Sequence, residues 1–259
     1  MQPFLKLFLS LVLAHLLADF TFQPSKMVED KGWGNRAYLP HGLIHLALLS
    51  VSIAVFMGLN WLTSPGFWIA VLLYIATHLG IDWAKQRLLL TAGGMDSAFV
   101  LALDQALHLC TILLLSWVLT RPNWSMVRSQ LSWSPGTGER VLEAAVVYVA
   151  VIFAGGYVIR YLTRGLAMEV ERGGETQEQL KNAGMYIGWL ERFLVVTAVL
   201  VQSPSMVGLI VTGKSIARFP KLKERFAEYY LIGTLLSIGL AVLGGLLLAK
   251  LWYGTILLK

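Results

Sequence analysis

The sequence predicts an all-α protein, a polytopic bundle of transmembrane helices. Of its 259 residues, 56% are hydrophobic and only 14% are charged, whereas a soluble domain carries about 25% charged residues. The mean hydropathy is +0.65, and several apolar runs reach the roughly 20 residues that a helix needs to cross a bilayer. These observations favour an integral membrane protein that has no soluble domain.

About eight helices are expected from the apolar runs. The seventh is the shortest, and it begins at Pro204 immediately after the sixth, so these two helices form a tight hairpin. Segment 123–138 is predicted to be an interfacial loop with tryptophans, and the polar segment 164–182 a short surface helix with a loop. The predicted helices are 3–22, 41–60, 66–86, 98–119, 141–161, 184–201, 204–218 and 227–252.

The sequence divides into three segments. Residues 1–120 form a four-helix half that holds every histidine, and residues 121–140 form the interfacial loop. Residues 141–259 form a second four-helix half without histidine and with a basic cluster beside the membrane. The glycine pairs of this half, at 155–156 and 244–245, predict close helix packing, and a homodimer is one way to use them.

Lysine and arginine residues are divided unevenly between the two sides that eight helices define. The loops after the odd-numbered helices carry 14 of them, and the opposite side carries six. Because cytoplasmic loops hold the excess of positive charge, we expect both termini outside the cytoplasm, in a bacterial inner membrane. The same bias accounts for the net charge of +6 without nucleic acid as a partner. His15 and Asp19 interrupt the first apolar run, which favours an uncleaved first helix.

All five histidines lie in apolar segments, and each has a histidine or an aspartate four residues away. Four residues are about one helical turn, so each pair occupies one face of its helix. Ionisable residues in membrane helices are costly and mark functional sites. In the expected orientation all four pairs lie in the cytoplasmic leaflet at similar depth. The pairs are His15/Asp19, His41/His45, His78/Asp82 and Asp104/His108.

Imidazole and carboxylate groups are common ligands of zinc, iron and manganese. Two ligands one turn apart can reach a single ion. The eight residues therefore predict a metal centre, with zinc as the first expectation, iron and manganese as alternatives, and one or two ions. Asp82 is the candidate general base, and Lys85 the candidate to offset its charge or to bind a substrate anion. A proton relay without metal and simple interhelical hydrogen bonds are the alternatives.

Four motifs occur in order: HLLADFTFQ at 15–23, HGLIH at 41–45, HLGIDWAK at 78–85 and DQALHL at 104–109. Over about residues 10–120 the chain resembles an uncharacterised bacterial membrane-protein family that is known only as a domain of unknown function. The resemblance implies that the eight histidines and aspartates, together with Gln23 and Lys85, are motif positions of that family. It implies no activity.

Basic residues of the second half form the other candidate site. Lys214 and Arg218 belong to a cluster beside the membrane that continues through Lys221, Lys223 and Arg225. Such clusters set topology and contact anionic lipid head groups. A sharper hypothesis is a pocket for a phosphorylated lipid, in which Arg192, Lys214 and Arg218 bind the phosphate.

Three functions are compatible with these sites. The first is a metal-dependent hydrolase at the cytoplasmic leaflet, in which the ion lowers the pKa of bound water to about 7. The histidine motifs contain no Glu, which argues against a protease of the H-E-x-x-H type. The second is a transporter of divalent cations or protons, and the third a non-catalytic protein with a structural metal.

Overall fold

The computed structural model describes residues 3–33, 36–91, 98–123, 125, 136–172, 183–218 and 224–254. These residues form helices and short connections, with no strand among them, which confirms the all-α helical bundle. A 3₁₀ turn at Leu59–Thr63 follows the third helix. The helices are α1 (Pro3–Phe20), α2 (Ser25–Trp33), α3 (Tyr38–Phe56), α4 (Pro65–Thr91), α5 (Ala98–Thr120), α6 (Thr137–Val149 and Gly155–Arg172, joined by a π turn at Ala150–Ala154), α7 (Ala183–Leu200), α8 (Pro204–Arg218) and α9 (Glu224–Tyr253).

Seven of the described helices are long and apolar enough to cross a membrane. The two others are α2, a nine-residue helix rich in polar side chains, and α8, which has 15 residues. A span needs roughly 20 residues, so α8 falls short of a full crossing. All eight helices expected from the sequence form, with α2 in addition. The predicted orientation places both termini on one side of the membrane, which requires an even number of crossings. Seven helices are long enough to cross, so this number is even only if α8 also crosses, and the orientation stays a prediction.

Local sequence explains where the site-bearing helices begin and end. Gly58 follows α3 with a φ of +97°, a backbone conformation that glycine adopts without steric cost. The amide of Phe67 donates to Ser64 Oγ at 3.4 Å, so Ser64 caps the first turn of α4. Pro65 and Pro204 are the first residues of α4 and α8, where the missing N–H of proline costs nothing.

Met1–Val146 form the first of two compact units. In it α1 packs against α3 and α5, α4 packs against α3 and α5, and α2 contacts α4. Leu11, Ile53 and Ile112 are buried between these helices, whereas Leu72 of α4 is more than half exposed. Soluble proteins rarely expose large contiguous apolar surfaces, and a lipid environment explains the many exposed leucines and valines of α3, α4 and α5.

A hydrogen bond between helices strengthens the first unit. Ser52 Oγ of α3 donates to the backbone oxygen of Ser10 on α1 at 2.8 Å, and both residues are buried. We expect Ser52→Ala to lower the free energy of unfolding in detergent by about 1 kcal/mol, because such a bond contributes that much in membrane proteins. Ser50→Ala is the control, since among the described residues Ser50 Oγ donates only to the backbone oxygen of Leu46, on its own helix. Equal melting temperatures for both variants would contradict this role.

Val147–Lys259 form the second unit. Here α9 packs against α7 and against the second part of α6, while α8 packs against α7. A Cβ atom on Gly244 would lie 2.6 Å from Val151 Cγ2, and one on Gly245 would lie 2.6 Å from Val199 Cβ. These glycines therefore allow close packing between helices of one chain, and the homodimer stays a prediction.

Parts of two predicted segments lie outside the described residues. Of the interfacial loop at 123–138, the structure describes only 123, 125 and 136–138. Residues 164–172, the beginning of the predicted surface segment, continue α6, and residues 173–182 are outside the described part.

Candidate metal centre

The four histidine and aspartate pairs come together in one buried centre of the first unit. They lie at the end of α1, the beginning of α3, the second half of α4 and the first half of α5. The ring centroids of His45 and His78 are 3.9 Å apart, and those of His78 and His108 are 4.2 Å apart. All five imidazoles are at most 1% exposed. The four pairs thus form a single cluster, and their depth in the cytoplasmic leaflet stays a prediction.

At one end of the centre, which we call the Asp19 end, four histidines surround the carboxylate of Asp19. Its Oδ1 atom lies 2.9 Å from His45 Nε2 and 3.3 Å from His41 Nε2. His78 Nε2 is 3.6 Å from the same oxygen, and His15 Nε2 is 3.7 Å from Asp19 Oδ2. Four imidazole nitrogens from α1, α3 and α4 therefore surround one carboxylate.

Asp82, Asp104 and His108 form the other end, which we call the carboxylate end. His108 Nε2 lies 3.4 Å from Asp82 Oδ1 and 3.5 Å from Asp104 Oδ1. The second oxygen of each carboxylate accepts from a lysine: Lys31 Nζ donates to Asp82 Oδ2, and Lys85 Nζ donates to Asp104 Oδ2 at 2.8 Å. Each carboxylate therefore has one oxygen bonded to a lysine and the other near His108, and Lys85 Nζ also lies 3.7 Å from Asp82 Oδ1.

Lys31 is a site residue that the sequence interpretation missed. It lies on α2 and is buried, although the sequence suggests only a loop lysine that marks the cytoplasmic side. Its Nζ lies 5.7 Å from the ring centroid of Tyr38. In the amide orientation that satisfies both neighbours, Gln23 Oε1 accepts from Lys31 Nζ at 2.7 Å and its amide donates to the backbone of Asp19. No metal-ligand spacing points to Lys31; only the contact between α2 and α4 brings it to Asp82.

Gln105 links the two ends of the centre. Its Oε1 lies 3.2 Å from His15 Nε2, and its Nε2 donates to Asp104 Oδ2 at 3.2 Å. The residue belongs to the DQALHL motif, but it was not among the expected site residues. The sequence feature that could have indicated Gln105 is its place inside this motif, directly after Asp104.

The imidazole rings direct their Nε2 atoms into the centre. The Nδ1 atoms of His15, His41, His78 and His108 have no hydrogen-bond partner among the described residues. The Nε2 of His41 instead lies 3.1 Å from the Nε2 of His78. The hydrogen bonds that orient His15, His41 and His78 are therefore those of their Nε2 atoms, whereas His108 Nε2 also has no hydrogen-bond partner among the described residues.

The arrangement fits a metal ion. Zinc bonds to nitrogen and oxygen are about 2.0–2.1 Å long, which places two ligands of a tetrahedral site about 3.3 Å apart. The distances of 3.3 Å from His41 to Asp19 and 3.4 Å from His108 to Asp82 match this value. In each of three sets, the ligand atoms lie within 4.8 Å of one another. The sets are His15, Asp19, His45 and His78; His41, His78 and Asp82; and Asp82, Asp104 and His108.

Arg192, predicted to bind phosphate, is buried in the second unit. Its Nε and one terminal nitrogen donate to the backbone oxygen of Ile152 at 3.2 and 2.7 Å, inside the π turn of α6. The other terminal nitrogen donates to Ser237 Oγ at 3.2 Å. Cβ atoms on Gly156 and Gly188 would lie 3.0 and 3.1 Å from the guanidinium nitrogens, so these glycines make room for it. Among the described residues, its hydrogen bonds are with the π turn and α9.

The other two predicted phosphate ligands lie on α8. Lys214 Nζ donates to Glu191 Oε2 at 2.5 Å and lies 5.5 Å from the ring centroid of Tyr230. The structure describes the backbone of Arg218 but not its side chain. In the same cluster, Lys221 and Lys223 and the side chain of Arg225 are outside the described part. A phosphate or lipid site at these residues stays a prediction.

The comparisons with known proteins concern the first half of the chain. Residues 7–134 match the model of the family described as "Protein of unknown function (DUF3307)". This segment contains the eight histidines and aspartates together with Lys31 and Lys85. The expected likeness to an uncharacterised family is confirmed over it, whereas the bacterial source and the motif positions stay predictions. The chain has no significant match among curated proteins or solved structures.

Proposed function

We propose that this protein binds a divalent metal ion in its His/Asp centre and is a metal-dependent hydrolase at the cytoplasmic leaflet. The observation that carries the proposal is the convergence of His41, His45 and His78 on Asp19 Oδ1, all within 3.6 Å. Zinc suits this set of imidazole and carboxylate ligands, and iron or manganese would accept the same donors.

The charge of the centre supports a cation. With neutral imidazoles, the three carboxylates carry three negative charges, and Lys31 and Lys85 offset two of them. One negative charge remains in a buried place, where an uncompensated charge is costly. A divalent ion reverses the balance to a single positive charge, which favours an anionic group such as a phosphoester as substrate.

When bound, the ion would polarise the substrate and lower the pKa of bound water to about 7. We assign the role of general base to Asp82, whose Oδ1 faces His108 while Lys31 holds its Oδ2. Lys85 is the most exposed cation of the centre, with 25% of its side chain accessible. It can therefore contact the anionic part of a substrate while it orients Asp104.

The positions of the histidines and aspartates along α1 and α3 support a location in one leaflet. His15 and Asp19 are in the last turns of α1, and His41 and His45 are in the first turns of α3. We assign this end to the cytoplasm from the distribution of lysine and arginine. A phosphorylated lipid would reach the centre from that side, and the predicted phosphate ligands Arg192, Lys214 and Arg218 would serve a second head group.

The same cluster could instead pass cations or protons across the bilayer, since two of its three ligand sets share His78 and two share Asp82. Such chains of buried histidine and aspartate occur in pumps and transporters. Flux assays in liposomes separate the two functions. Zinc or proton flux that depends on Asp82, without turnover of any ester, would replace the hydrolase by a transporter.

The first experiment is elemental analysis of full-length protein purified in detergent without a polyhistidine tag, combined with a panel of phosphoester and lipid substrates. We expect near-stoichiometric zinc, iron or manganese in the wild type. Asp82→Asn should keep the metal and lower turnover by about 100-fold or more, the range for loss of a general base. Protein that binds no metal after reconstitution would refute the proposal, and metal without turnover on any substrate would leave a structural site.

A further inference from the structure

The two ends of the centre differ in their positive partners. Asp82 and Asp104 each contact an ammonium group through Oδ2, from Lys31 and Lys85 respectively. Lys85 Nζ also lies 3.7 Å from Asp82 Oδ1. The carboxylate of Asp19 contacts only histidines among the described residues. Among the described residues, Asp19 is therefore the carboxylate of the centre that no lysine or arginine contacts.

This difference decides where an ion can bind. At the carboxylate end a divalent ion would lie beside two ammonium groups that already hold both of its carboxylate ligands, and like charges repel strongly in a buried site. At the Asp19 end the ion would meet a carboxylate that contacts no ammonium group among the described residues, and up to four imidazole nitrogens. A second ion would raise the net charge of the centre from one to three positive charges, which burial makes costly.

We propose that the centre is mononuclear, with one divalent ion at the Asp19 end. Lys31 and Lys85 exclude a second ion from the carboxylate end. The lysines take the positions that a second cation would otherwise fill, and they hold Asp82 and Asp104 so that one oxygen of each faces His108. This inference rests on the proposed metal-binding function and specifies its stoichiometry.

Lys31 offers the sharper test because it belongs to a different helix from its partner. It comes from α2, whereas Asp82 is on α4. Replacing Lys31 by methionine keeps an apolar stem of similar length and leaves Asp82 without its ammonium partner. The carboxylate end would then carry one more negative charge and three ligand atoms, those of Asp82, Asp104 and His108. It should accept a second ion.

The test is the zinc content of untagged, full-length protein that is saturated with Zn²⁺ in detergent and freed of excess metal. We expect one zinc per chain for the wild type and two for Lys31→Met. The double variant Lys31→Met/Asp82→Asn removes both charges and should return to one. Lys26→Met is the matched control, since Lys26 is exposed on the same helix, and it should also hold one zinc.

The outcomes separate this inference from the proposed function. Two zinc ions in the wild type would overturn the mononuclear assignment and leave metal binding intact, whereas no zinc would refute both. One zinc in Lys31→Met would overturn the exclusion by Lys31. If that variant elutes as an aggregate, the zinc content of Lys85→Met is measured instead, because this substitution removes the ammonium partner of Asp104. Two zinc ions per chain would support exclusion by the lysines, and one zinc ion would refute it.

Discussion

Asp19→Asn should abolish stoichiometric metal binding, whereas Asp104→Asn should leave it in place. Asp19 Oδ1 is the oxygen on which His41, His45 and His78 converge, so the amide variant loses the anionic ligand at the point where the imidazoles meet. We expect its zinc affinity to fall by more than about 100-fold, the upper end of what loss of an orienting partner alone costs. Competition with a chromogenic chelator measures the affinity.

Asp104→Asn is the matched control because it makes the same isosteric change at the other end of the centre. Lys85 loses its 2.8 Å contact but keeps Asp82 at 3.7 Å, so its ammonium group is not left without an anion. We expect a loss of zinc affinity of about tenfold or less, the lower end of the effect of an orienting partner. The reverse ranking of the two variants would place the ion at the carboxylate end.

Gly245→Ala should destabilise the second unit more than any other alanine substitution at a glycine of α9. The added Cβ would lie 2.6 Å from Val199 Cβ and 3.1 Å from the backbone oxygen of Val196, so α7 and α9 must move apart. Overpacking of this kind costs about 1–3 kcal/mol. Thermal unfolding of the full chain in detergent measures the change in melting temperature.

Gly239→Ala is the control on the same helix. Nothing lies within 4 Å of the position of its added Cβ, and alanine favours a helix over glycine by up to about 1 kcal/mol. Its melting temperature should therefore equal or exceed that of the wild type. A loss of stability as large as that of Gly245→Ala would show that the effect comes from helix flexibility rather than from the approach of α7.

The sequence predicts which histidines and aspartates share a helix face because this signal is local. A spacing of four residues places His15 with Asp19 and His78 with Asp82 on one helix face whatever the rest of the chain does. The low charged fraction indicates membrane-spanning helices, and histidines inside such helices indicate a functional site. The eight expected ligands could be named without knowing which helices touch.

The bounds of α8 were predicted correctly at 204–218, but whether this helix crosses the membrane depends on its length. The run at 204–218 is apolar and forms α8, but 15 residues are too few for a full crossing. The sequence also contains no apolar signal for α2, whose polar residues are typical of a loop. Both helices owe their place to packing, α8 against α7 and α2 against α4.

By itself the sequence determined the all-α membrane bundle and the faces on which the histidines and aspartates lie, because composition and helical periodicity are properties of the local chain. Only the tertiary structure decided that the four pairs form one cluster, that Lys31 crosses from α2 to Asp82, and that Arg192 contacts the π turn of α6. These contacts join residues 40 and 51 positions apart in the chain. Helix packing sets such contacts, and no residue spacing encodes them.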